Sequence, residues 1–202
     1  MKIIYGSSNK AKLEEIKNFF DNNNINVEVI SLKDINFNEE IDENGTTFEE
    51  NSLIKAKAIK EFCSKNNINE TIITDDAGLC VDALNGRPGV HSARYAGDHA
   101  PQEAAINKLL TELKEVPMNK RTAKFVCVLT SILKDGTKIV ARGETKGKIA
   151  LKPGPMGKLT YGPVFMPDEF HGKVMNELSA NELKHTHREK ALIELLKELK
   201  QI

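Results

Sequence analysis

The chain opens on an apolar run, Lys2 to Tyr5, broken by Gly6-Ser7-Ser8-Asn9, after which Leu13, Ile16 and Phe20 recur at helical spacing. This pattern predicts strand, loop, helix. The Asn-rich stretch Asn22 to Asn26 predicts a solvated turn that ends the helix, and Val27, Val29 and Ile30 a second strand. A polar, acidic loop then extends to Gly45. Thr46 and Thr47 each stand three residues before a glutamate, Glu49 and Glu50, which is the capping-box pattern. A helix is therefore expected from about Phe48, with Ala56, Ile59 and Phe62 on its buried face. Ile72 and Ile73 predict a short strand that gives way to a loop at Thr74-Asp75-Asp76-Ala77-Gly78, and such strand-to-loop junctions are where open α/β sheets place ligands.

In the second half, Pro101 opens a helix whose face is Ile106, Leu109, Leu110 and Leu113, and Phe125 to Leu133 predicts a long strand. Asp135-Gly136 signals a hairpin with a return strand at Ile139 to Ala141. A final amphipathic helix carries Leu192, Leu195, Leu196 and Leu199. Strands alternate with helices early and a hairpin comes late, so the expected class is α/β, with a mixed sheet and flanking helices. No internal repeat or linker divides the chain, and residues 1–202 read as one domain.

Charge narrows the function. Lys plus Arg number 29 and Asp plus Glu number 29, a formal balance of zero, which argues against a nucleic-acid polymer as partner and leaves a small anionic ligand open. No apolar run approaches the ~18 residues of a membrane span, and the amino terminus enters a strand without a signal-peptide pattern. Cys63, Cys80 and Cys127 are odd in number and lie in apolar contexts, which suits a reducing cytoplasm and no metal cluster.

Candidate chemistry gathers at four places. Ser7, Ser8, Asn9, Lys10, Ala11 and Lys12 lie at a strand-to-helix junction, where free N–H groups and the helix dipole favour an anion and Lys12 could neutralise phosphate. A Ser or Asn cap flanked by solvated lysines explains the same residues. Asp75-Asp76 are adjacent carboxylates that repel unless a cation relieves them, for which Mg2+ is suited, although a plain Asp-Gly turn is the simpler alternative. In extended backbone the two would point to opposite faces, one for chemistry and one for capping backbone donors. Asp42, Glu43, Glu49 and Glu50 supply further hard oxygens. Asn51 and Lys55 share a helix face able to reach a phosphate, or to be merely solvated. His187-Arg188, after Lys184 and His185, concentrates donors that could read a base edge or a phosphate, or form a solvated basic helix start. Spacing gives no support for a nucleophilic triad.

Three blocks together resemble the Ham1/inosine triphosphatase family over nearly the whole chain. The longest runs from Thr74-Asp75-Asp76-Ala77-Gly78-Leu79 through Val81-Asp82-Ala83-Leu84-Asn85-Gly86 to Pro88-Gly89-Val90-His91-Ser92-Ala93-Arg94-Tyr95, and is similar to that family's DDSGLxVDALxGxPGxxSARY signature. Ser7 to Lys12 resembles its [TS]GNxxK phosphate loop, and Gly45-Thr46-Thr47-Phe48-Glu49-Glu50-Asn51 its GTTFEEN helix start.

The resemblance implies an elongated two-lobed fold with a central cleft, usually a homodimer. It implies Mg2+-dependent hydrolysis of non-canonical purine nucleoside triphosphates (ITP, dITP, XTP) to the monophosphate and pyrophosphate. Asp76 would be general base and metal ligand, with Asp42 and Glu43 helping to carry the metal. Ser7 to Lys12, Asn51, Lys55, Ala77, Tyr161, Lys184, His187 and Arg188 would contact the substrate. The chain departs from the family where the base is read: FGYDPIF appears as Leu159-Thr160-Tyr161-Gly162-Pro163-Val164-Phe165, losing an aromatic at Leu159 and an acceptor at Gly162. Tyr161 and Phe165 are candidates for the missing stacking face. SHR appears as Thr186-His187-Arg188, and the family's preceding lysine matches Lys184 only with a gap. Two other readings suit the altered loop: a nucleotide-binding regulatory protein with weakened catalysis, or a related pyrophosphatase with another base preference. The Maf-like version of the latter is disfavoured by the absence of an SxSPRR-type amino-terminal loop.

Overall fold

The computed structural model describes residues 1–157, 159–170, 172–179 and 182–199, with the side chains of Lys184 and His185 outside that description. Its strands are β1 (Lys2–Tyr5), β2 (Glu28–Ser31), β3 (Thr71–Val81), β4 (Thr122–Ile132), β5 (Lys138–Ile149) and β6 (Phe165–Pro167). Its helices are α1 (Lys10–Asn22), α2 (Phe48–Lys65), α3 (Gln102–Glu112) and α4 (His187–Leu199), with short 3-10 turns between. The strands form one sheet in the order β2-β1-β3-β4-β5-β6. β1 runs parallel to both its neighbours, with Ile3 opposite Val29 and Thr71, whereas β5 and β6 are antiparallel. This is the mixed sheet with helices that the alternation predicts. The apolar, non-alternating β1 suits a strand covered on both faces: Ile3, Ile4 and Tyr5 are fully buried.

The chain divides into two compact units, one formed by Met1–Asp76, Val128–Arg142 and Ala191–Ile202, the other by Ala77–Cys127 and Gly143–Lys190. In the first, Ile4, Ile59, Cys63, Ile72 and Phe37 form a core against which Ile30, Leu32, Phe62 and Ile68 pack. Phe62, expected in the buried face of α2, is half-buried; its ring lies edge-on to Phe37 at 5.0 Å, while Cys63 takes the covered position. In the second unit, Leu79, Val81, Ile106, Leu109, Phe125 and Phe165 belong to one apolar cluster. Cys63, Cys80 and Cys127 form no disulfide among the described residues. Among the described residues no helix is long and apolar enough to cross a membrane.

Helix starts follow the local chemistry. Asn9 caps α1, its Oδ1 accepting from the N–H groups of Ala11 and Lys12 at 2.9 and 3.3 Å. Thr47 caps α2 in a complete capping box with Glu50. At the end of α1 the Asn-rich stretch turns as expected, with Asn24 in the left-handed region at φ +53°.

Asp75 and Asp76 were expected in a loop after a short strand, because Asp and Gly are poor strand formers. Instead β3 continues without interruption from Thr71 to Val81 and carries both carboxylates inside the sheet. What permits this is pairing: each aspartate meets its own cation and hydrogen-bond donor.

Candidate active site

The carboxyl end of β1, the start of α1, the face of α2 and the middle of β3 bring polar side chains together within the first unit. Two hydroxyls fasten α2 to β3: Thr74 Oγ1–H donates to the Ser52 carbonyl at 2.7 Å, and Ser52 Oγ–H to the Thr74 carbonyl at 3.2 Å, both residues being fully buried. This staple holds Asn51 and Lys55, one turn apart on α2, against Asp76. Asn51 Nδ2–H donates to Asp76 Oδ2 at 3.2 Å, and Lys55 Nζ lies 3.8 Å from Asp76 Oδ1. Lys55 also pairs with Glu43 at 2.6 Å, so one ammonium serves two carboxylates.

Asp75 faces other partners. Tyr5 Oη–H donates to its Oδ1 at 2.6 Å, and Lys12 Nζ pairs with its Oδ2 at 2.9 Å. The adjacent aspartates thus have separate surroundings, as alternation along a strand requires. Among the partners of Asp75 are the Tyr5 hydroxyl and the Lys12 ammonium. Tyr5 was not singled out from the sequence; a tyrosine inside the apolar run Ile3-Ile4-Tyr5 is the signal, since a buried phenol needs a partner.

Burial pushes the Asp76 carboxyl above the usual carboxylate value, against the lowering effects of Lys55, the Asn51 hydrogen bond and Lys12; Glu43 raises it further. A carboxyl shifted upward by burial, with a lysine ammonium 3.8 Å away that also pairs with Glu43, has surroundings suited to general-base chemistry. The donor set also suits Mg2+, which takes one or two carboxylates together with substrate phosphates and water. Glu43 and Asp76 are such a pair, sharing the Lys55 cation. No group of three or more metal-ligating side chains is assembled among the described residues, and Asp42 is exposed, accepting from Asn44 Nδ2 at 3.2 Å.

In the phosphate-loop candidate, Ser7 Oγ accepts from the Asn9 N–H at 3.2 Å, and the first N–H groups of α1 are held by Asn9 itself. Ser8, Asn9, Lys10 and Ala11 are exposed, and Lys12 is half-buried on its way to Asp75. The capping explanation therefore describes Asn9, while Lys12 is an ion-paired cation and not a solvated one.

The other candidates belong to the second unit. Ala77 follows Asp76 on β3 and is half-buried. Tyr161 is buried, its hydroxyl donating to the Ser92 carbonyl at 2.9 Å, and burial raises its phenol above the ordinary value. Phe165 is fully buried, edge-on to Phe125 at 4.7 Å. Both rings are packed into the apolar cluster of this unit. His187 and Arg188 are buried at the start of α4, where a solvated basic turn was one expectation; the His187 ring stacks on Phe125 at 5.0 Å. The Lys184 side chain lies outside the described residues.

Known proteins carry the same pattern. The model of the Ham1 family matches residues 3–198. The dITP/XTP pyrophosphatase of Bacillus subtilis strain 168 is 41% identical over 196 residues, covering 96% of this chain and 94% of that protein. The protein of the same name from Clostridium perfringens is 38% identical over 203 residues, covering 100% and 98%. Among solved structures, the Ham1 protein of Staphylococcus aureus superposes with a TM-score of 0.84 at 34% identity, covering 100% of this chain and 99% of that one. With a family match over nearly all its length and relatives this similar end to end, the chain belongs to the Ham1 family.

Proposed function

We propose that this chain is a nucleoside triphosphate pyrophosphatase that removes non-canonical purine nucleotides, dITP and XTP by the names of its relatives and ITP by the family resemblance. The observation that carries this reading is the buried Asp76 flanked by Lys55, Asn51 and Glu43. In this reading water attacks the α-phosphorus, the bond from that phosphorus to the bridging oxygen breaks, and pyrophosphate leaves. The Asp76 carboxylate takes the proton of the attacking water. Lys12 and Lys55 supply positive charge for the leaving pyrophosphate, and the exposed start of α1 from Ser8 to Ala11 supplies polar contacts to phosphate. Glu43 and Asp76, with Asp42 nearby in sequence, would hold Mg2+. When bound, the ion neutralises charge on phosphate oxygens.

Substrate contacts from Tyr161, Lys184, His187 and Arg188, a homodimeric state and a cytoplasmic location are part of the same reading and rest on the family resemblance. The altered segment Leu159 to Phe165 bears on which purine is preferred, and the buried Tyr161 and Phe165 rings support no simple replacement for the missing stacking face. The test is pyrophosphate release from ITP, dITP, XTP, dUTP and the standard nucleotides, with Mg2+ and with chelator. Wild type is expected to prefer ITP, dITP and XTP, and Asp76→Asn to lose at least about 100-fold in kcat, the lower range for general-base removal. Full turnover by Asp76→Asn removes Asp76 as the base, and nucleotide binding without turnover by wild type favours the regulatory alternative.

A further inference from the structure

Asn51 is 2% exposed, and both ends of its carboxamide are engaged. Its Oδ1 accepts from the Gly45 N–H at 2.8 Å, and its Nδ2 donates to Asp76 Oδ2 at 3.2 Å. The first bond fixes which way the amide faces, because only an oxygen can accept from that N–H. Gly45 is suited to this by its missing side chain: a Cβ there would stand 2.7 Å from both Asn51 Oδ1 and Glu50 Cβ, and 3.1 Å from the Asn51 nitrogen. One turn along α2, Lys55 repeats the connection with charge, joining Glu43 at 2.6 Å to Asp76 at 3.8 Å. The turn from Glu43 to Gly45 and the aspartate of β3 are thus tied by two rungs on one helix face.

We infer that Asn51 is a positioning residue for Asp76, set by the Gly45 N–H, and not a ligand of the substrate phosphates. This rests on the reading of Asp76 as the base. The neutral rung presents Asp76 Oδ2 with a donor of fixed direction, and the charged rung faces Oδ1, so the carboxylate plane is held from two sides. With Oδ1 and one Nδ2 hydrogen engaged, the carboxamide keeps a single N–H and, at 2% exposure, almost no surface to offer a phosphate.

The two roles separate in kinetics. For Asn51→Ala, a positioning role predicts a fall in kcat of at least about 10-fold with KM for ITP within about threefold, since misplacing a catalytic group acts on the reacting state. Gly45→Ala, whose Cβ presses on the Asn51 oxygen and on Glu50 but not on Asp76, is expected to reproduce that pattern while Glu50→Ala, the control for the helix start, keeps kcat within about threefold, and the double variant of Asn51 and Gly45 to be no worse than the single ones combined. Inorganic pyrophosphate binding, measured by calorimetry with chelator present, should be unchanged within about twofold in Asn51→Ala, whereas loss of a phosphate ligand would weaken it by about 10-fold. A raised KM with kcat intact, weakened pyrophosphate binding, or full kcat in Gly45→Ala overturns the inference. Thermal melting of Asn51→Ala in wild-type and Asp76→Ala backgrounds keeps it testable apart from the activity. If the wild type hydrolyses none of the nucleotides the proposed function fails, and the melting shifts still decide: a shift that shrinks without Asp76 supports the tie, and equal shifts refute it.

Discussion

Replacing Tyr5 by Phe isolates one hydrogen bond beneath the site. The ring of Tyr5 is fully buried in β1, and Phe fills the same space, so packing is preserved and only the hydroxyl is lost. That hydroxyl donates at 2.6 Å to Oδ1 of Asp75, itself 1% exposed. A hydrogen bond to a charged group contributes about 1.5–3 kcal/mol, and removing the donor leaves the carboxylate without that compensation where water cannot easily replace it. Taking about 2 kcal/mol and the roughly 2–4 °C per kcal/mol expected of a chain this size, Tyr5→Phe should lower Tm by about 4–8 °C. Lys12, paired with the other oxygen of Asp75 at 2.9 Å, then becomes the main counter-charge and is drawn toward β3. KM for the nucleotide should rise about 2–5-fold as less of that charge reaches phosphate, a cost of about 0.5–1 kcal/mol. Melting by circular dichroism and steady-state kinetics measure both. A Tm within about 1 °C of wild type would refute the claim that the Tyr5 bond supports a buried carboxylate.

Three further outcomes follow from other parts of the molecule. Leu195→Ala enlarges an apolar cavity of about 20 Å³ lined by Ile3, Phe20, Ile73, Leu192, Leu195 and others. It should cost about 3–5 kcal/mol in denaturant unfolding, with turnover by the folded fraction retained. Glu50→Ala removes an acceptor whose carboxyl is held below its ordinary value of 4.5 by hydrogen bonds from the backbone and hydroxyl of Thr46 and the backbone of Thr47. Because the folded value is the lower one, the stabilisation is full above about pH 5 and fades as pH falls through it, so the Tm gap between wild type and variant should be open at pH 7 and close in acid. Chelator should abolish pyrophosphate release yet leave Tm nearly unchanged, because Lys55 already offsets part of the charge of Glu43 and Asp76; a large drop in Tm would mean the fold needs the metal.

Local rules served best where one segment holds all the information. The caps at Asn9 and Thr47, the left-handed turn at Asn24 and the helix of Leu192 and Leu195 depend on residues within a turn or two of one another. β5 shows the limit. Its buried positions, Ile139, Ala141, Gly143, Thr145, Gly147 and Ile149, alternate to the end, but only the first two and the last are hydrophobic, so the expected strand stopped at Ala141. Gly147 is small for a reason outside its own strand: a Cβ there would run into the carbonyl of Met166 on β6, its neighbour in the sheet. Nothing near Gly147 in sequence announces that approach.

The same distinction governs the aspartates. Two carboxylates and a glycine in succession argue for a turn as long as their partners are unknown, since a charge buried without compensation is costly. Here the compensation comes from far along the chain: Tyr5 and Lys12 stand 70 and 63 residues before Asp75, and Asn51 stands 25 before Asp76. The resemblance proposes Asp76 as the base, while helix spacing puts Asn51 and Lys55 on one face able to reach a phosphate or merely solvated. In the structure they differ in charge and in engagement. Lys55 keeps a cation with two carboxylates on it, able to exchange one for a phosphate oxygen, whereas Asn51 is occupied at both ends by parts of the protein. Motif membership therefore names candidate side chains, and their hydrogen-bond partners separate one free to exchange toward a substrate, such as Lys55, from one held on its neighbour, such as Asn51.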